Sequence, residues 1–96
     1  MNALTINSEL QKHLVSKNPI HDGFQYKFKF ANNYGASVVR HKYSYGGDRG
    51  LWELAVLDKE DNLCYDTEVA DDVVGFLTEE DVFDTLWRIC KLDECE

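Results

Sequence analysis

The sequence predicts an α+β domain: an antiparallel three- to four-stranded meander with an N-terminal helix and a C-terminal helix packed on one face. Three observations carry this. Phe24, Tyr26, Phe28 and Phe30 alternate with Gln25, Lys27 and Lys29, the period of a strand with one covered and one wet face. The run from Leu51 to Leu57 is apolar on both sides, as an interior strand is. Val82, Phe83, Leu86, Trp87, Ile89 and Cys90 recur at helical spacing behind Thr78.

The 96 residues form one domain over 1–96, with loose tails expected at 1–6 and 92–96. Ser8 and Gln11 have capping-box spacing, and Leu10, Leu14 and Val15 give a short apolar stripe. A helix is expected from about Ser8 to Ser16, ended by Pro19. His21-Asp22-Gly23 reads as a turn into the aromatic strand, and Asn32-Asn33-Tyr34-Gly35 as the turn out of it. A second strand is expected from Ala36 to Tyr45. It puts Val39, His41, Tyr43 and Tyr45 on one face and Val38, Arg40 and Lys42 on the other.

Gly46 to Gly50 reads as a glycine-rich hairpin loop before the third strand. Asp58 to Asn62 is the next turn, and Leu63-Cys64-Tyr65 a short edge strand. Residues 69–77 read as an acidic connector in which Val73, Val74, Phe76 and Leu77 are available for packing. Thr78 caps the last helix. Glu79, Glu80 and Asp81 fill the first turn, where the helix dipole favours anions, and Arg88 and Lys91 the last.

The chain is 44% hydrophobic and 12% aromatic, ordinary for a globular fold. Cys64, Cys90 and Cys95 are odd in number and form no CxxC, and no signal peptide precedes them. Reduced thiols in a cytosol are expected. No run approaches the roughly 18 apolar residues of a membrane span. The charge is unevenly divided. Residues 1–50 hold seven Lys/Arg against three Asp/Glu, and residues 51–96 hold three against fifteen. The halves stand at +4 and −12 within a net −8. Either they neutralise each other in the fold, or the chain shows an acidic face to a basic partner.

No constellation of catalysis emerges. The loop at 46–50 is followed by a strand pattern, whereas a phosphate cradle needs a helix N-terminus. Arg49 at its tip is a candidate exposed contact. His13, His21 and His41 lack metal-ligand spacing with one another or with a cysteine. Cys64 and His41 lie on neighbouring predicted strands as a nucleophile and a base, without a third group to orient them. The acids Asp71, Asp72, Glu79, Glu80, Asp81 and Asp84 lack calcium-loop spacing. No catalytic residue, metal or cofactor is therefore expected. Lys27, Lys29, Arg40 and Lys42 lie on the polar sides of two predicted neighbours. If those sides coincide, they make a basic sheet face that with Arg49 could track phosphates.

The segments Asn33-Tyr34-Gly35-Ala36-Ser37-Val38-Val39-Arg40-His41, Ser44-Tyr45-Gly46-Gly47 and Gly50-Leu51-Trp52-Glu53-Leu54-Ala55-Val56-Leu57 carry a YGAS…SYGG…GLWELAVL pattern. In it the chain resembles a family of small phage and prophage proteins of unassigned function, over roughly residues 24–92. The resemblance implies a phage-derived protein acting in a bacterial cytoplasm. By analogy it implies one that binds and blocks a host protein, such as a defence nuclease.

The expected function is then an acidic, non-enzymatic protein–protein interaction module, an inhibitor of a host defence or nucleic-acid-handling protein. Glu79, Glu80 and Asp81 have a structural role in starting the last helix. The partner-binding candidates are therefore Asp58, Glu60, Asp61, Asp66, Glu68, Asp71 and Asp72. The alternative is a nucleic-acid-binding module using Lys27, Lys29, Arg40, Lys42 and Arg49, which the net charge opposes. An open edge strand would offer a second copy a pairing surface and so a homodimer.

Overall fold

The computed structural model of the chain describes residues 4, 6–65, 67, 69, 73–93 and 95. Its elements are α1 (Ser8–Gln11), β1 (Leu14–Ile20), β2 (Gly23–Lys29), β3 (Gly35–Arg40), β4 (Trp52–Leu57), β5 (Val74–Leu77) and α2 (Glu79–Cys90), with a 3-10 turn at Gly47–Arg49. The strands form one antiparallel sheet in the order β1-β2-β3-β4-β5. The fold is α+β, as the sequence predicts, with five strands rather than three or four.

The extra strands lie where helix and connector were expected. α1 is a single turn, capped by Asn7 rather than Ser8: the Asn7 side chain accepts from the Leu10 amide at 2.9 Å. One turn buries Leu10 completely, and the chain then becomes extended, with Leu14 opposite Phe28. Pairing with β2 outweighs the short helical stripe, since an isolated turn is costly to nucleate. Pro19 sits within β1 and does not stop a helix. At a sheet edge its missing N–H is tolerated. At the other edge, β5 occupies the expected connector. Leu63 makes only an isolated bridge to Leu57 instead of a strand.

Register decides the core. Tyr26 lies opposite Val38 and Val38 opposite Leu54, while Phe28, Ala36 and Val56 line up one step along. These residues are buried on one face, together with Phe30, Trp52, and Val82, Leu86 and Ile89 of α2. Each large side chain so buried is worth about 1.5–3 kcal/mol. α2 begins as the sequence indicates. Thr78 Oγ1 accepts from the Asp81 amide at 3.1 Å, and Asp81 Oδ2 accepts from the Thr78 amide at 3.2 Å. Neither expected tail is loose throughout. Leu4 is buried and its amide donates to the Tyr26 hydroxyl at 3.0 Å; Cys95 is buried and its amide donates to the Asn32 carbonyl at 2.8 Å.

Candidate interaction surface

The register also sorts the charged residues. At one end of the sheet lie the His21-Asp22 turn, the loop from His41 to Leu51, and the start of α2, since Phe24 pairs with Arg40 and Trp52 with Leu77. At the far end lie the turns at 31–34 and 58–62, since Lys29 pairs with Gly35 and Gly35 with Leu57. β4 has six residues, so the two ends stand about 20 Å apart.

Three of the acidic candidates fall among the described residues. Asp58, Glu60 and Asp61 lie at the far end. Asp58 has a structural role there: its Oδ1 accepts from the amides of Glu60 (2.9 Å) and Asn62 (3.0 Å). Asp61 holds a left-handed φ of 65° and pairs with Lys29 at 3.8 Å. Glu60 is exposed. Asp66, Glu68, Asp71 and Asp72 lie outside the described residues. The exposed acids in the first turn of α2, Glu79, Glu80 and Asp81, are at the opposite end from the 58–62 turn, and exposed Asp84 lies midway along the helix.

The basic sheet face does not exist as expected. Lys27 and Lys29 are on the open face, opposite Ser37 and Gly35. Arg40 shares the covered face with Phe24 and Val38. It is buried, its guanidinium lies 4.6 Å above the Trp52 ring, and its Nη1 donates to the Gly50 carbonyl at 2.9 Å. β3 ends at Arg40, so Lys42 is a loop residue, with its Nζ 5.0 Å from the centre of the Tyr43 ring. Arg49 is exposed in the 3-10 turn. The Cys64 and His41 pair is likewise separated. Cys64 hydrogen-bonds Val56 near the far end, whereas His41 follows Arg40 at the other.

The ion pair of Lys29 with Asp61 joins the two halves of opposite charge, and Lys12 pairs with Glu9 within the first half. Three first-half cations lie against rings. Lys17 lies over Phe24 and Tyr26, Lys42 over Tyr43, and Arg40 over Trp52.

Sequence reading missed a cluster of exposed aromatics between these charges. Tyr43, Tyr45 and Phe76 are 69%, 62% and 55% exposed. The rings of Tyr45 and Phe76 stack at 6.5 Å and 30°. His21 lies 4.9 Å from both His41 and Tyr43. Phe76 belongs to a bulge, because β4 and β5 slip register between Trp52 and Leu54, and its φ is +58°. An aromatic residue there costs roughly 1–2 kcal/mol. The strain is held by close contacts. A Cβ on Gly75 would lie 2.4 Å from the Tyr45 Cβ, and the Phe76 amide donates to the Tyr45 carbonyl at 3.3 Å. The one sequence signal was Gly75 interrupting an apolar run, which marks a bulge.

No protein-family model, curated protein or solved structure matches this chain. Among the described residues no three His, Cys, Asp or Glu are grouped to hold a metal ion, and no helix is long and apolar enough to cross a membrane.

Proposed function

We propose that this chain is a small, non-enzymatic binding protein that occupies a basic surface of a partner protein. One observation carries the reading. The second-half acids at the start of α2 stand exposed, while Lys17, Lys29, Arg40 and Lys42 are committed to rings, carbonyls and the 58–62 turn. An exposed acidic helix start attracts a positive surface, and such binding weakens with salt. The resemblance in the YGAS…SYGG…GLWELAVL segments supports a phage or prophage origin, a host protein as the target, and the bacterial cytoplasm as the place of action. An inhibitor of a defence or nucleic-acid-handling protein fits this chemistry, because such proteins carry grooves built for phosphates.

The test is capture from a bacterial host lysate at low salt. A specific partner is expected, released by high salt and lost with Glu80→Lys/Asp84→Lys, a variant that leaves the Thr78–Asp81 cap intact. Capture indifferent to both salt and charge reversal would refute the reading. So would a mobility shift of nucleic acid at tens of micromolar protein with no protein captured.

A further inference from the structure

We infer that the stacked pair Tyr45 and Phe76 is the docking point for an arginine side chain of an extended basic segment on the partner. This rests on the reading above, that the chain binds a basic protein, and gives it a location.

Exposed aromatic area alone is not a site. Here the exposure is enforced. Phe76 holds a φ of +58° where Asn or Gly would sit with less strain, and the bulge turns its ring outward to 55% exposure. Glycine is present one residue earlier, at 75, where it makes room for Tyr45. The backbone is therefore strained to present a ring to solvent, which is how binding positions rather than core positions are built.

Charge selects the occupant. Glu79, Glu80 and Asp81 begin three residues after Phe76, and the Glu53 carboxylate reaches the Tyr45 amide at 3.3 Å. Two exposed ring faces, with the Glu53 carboxylate at the Tyr45 amide and an acidic helix start three residues along the chain, suit a planar cation that stacks on the rings. A nucleic acid strand would also find rings here, but its phosphates would face those carboxylates. Lys42 and Arg49 belong to the same loop, yet Lys42 is turned to Tyr43.

The experiment is an NMR titration of the full chain, with labelled aromatic rings and backbone amides. The probe is a blocked glycine–arginine pentapeptide, run beside a glutamate counterpart. The Tyr45 and Phe76 ring signals should move with the arginine peptide and not with the glutamate one. Phe76→Asn and Tyr45→Leu should each weaken the response about three- to tenfold. The urea midpoint of Phe76→Asn should stay level or rise, since Asn tolerates the left-handed region. A large fall in that midpoint would overturn the inference by making the ring a structural plug. Shifts produced by dilution alone would assign the patch to a second copy, and shifts with a thymidine oligomer but not with arginine would assign it to nucleic acid; either overturns it. If the arginine peptide moves only amides of the 58–62 turn or of α2, the docking point is wrong and the basic-partner reading stands. Silence throughout removes both.

Discussion

The side-chain amide of Asn32 donates to the main-chain carbonyl of Ile89 at 2.8 Å, and also to those of Cys90 (3.3 Å) and Leu92 (3.0 Å). A turn between two strands thereby closes the C-terminus of α2, whose last carbonyls have no partner within the helix. Asn32→Ala should cost about 1–2 kcal/mol, read as a lower urea midpoint. Asn32→Asp should cost more, because a carboxylate cannot donate and is repelled by the negative end of the helix dipole.

At the other end of the helix, Thr78→Ala removes one half of a reciprocal cap. A loss of about 1 kcal/mol is expected, with Thr78→Ser close to wild type. Equal losses for both variants would mean that packing of the Thr78 methyl, not the hydroxyl, is what counts.

Arg40 is a packing residue with a charge. Arg40→Lys keeps the charge but loses the planar stack on Trp52 and the fixed fork to Gly50. Its stability should fall by about 1–2 kcal/mol, and the Trp52 fluorescence should change with it. A lysine variant as stable as wild type would show that the stack contributes little.

Gly23 lies against β3 so closely that a Cβ would meet the Arg40 carbonyl oxygen at 1.7 Å. That obstacle is backbone and cannot rotate away. Gly23→Ala should destabilise by about 2–3 kcal/mol and perturb the amides of β2 and β3 nearest the turn.

The Asp22 carboxyl lies below the usual aspartate range. The main cause is the hydrogen bond it accepts from the Lys42 amide at 2.8 Å; desolvation opposes it, and its own amide and the charges of Lys42 and His41 lower it further. A lowered folded value means that the contact stabilises above the unfolded pKa and is lost as pH falls through the folded one. The tie from turn 21–22 to residue 42 should therefore loosen below about pH 3.9. The Lys42 amide shift against pH reports it, and Asp22→Asn should flatten the curve.

Elements with strong local periodicity were legible in the sequence: the aromatic face of β2, the apolar run of β4, and α2 with its cap at Thr78. β1 was not, because Leu10, Leu14 and Val15 fit a helical stripe, and only pairing with β2 settles the matter. β5 was hidden because four residues with a glycine and a bulge carry no alternation. The basic face failed for one reason. Arg40 alternates as a polar-face residue would, yet pairing places it beside Phe24, over Trp52. Tyr45 and Phe76 are 31 positions apart in the chain, and nothing local joins them.

The meander has a consequence for speed. Each strand from β1 to β4 pairs with its chain neighbour, so those contacts close short loops and are expected early in folding. The bonds from Asn32 to α2 join residues 57 to 60 positions apart and can form only after the helix docks. Loss of Asn32 should then leave the refolding rate nearly unchanged and hasten unfolding. The lifetime of the native state is set where the last element is fastened, not where the sheet begins.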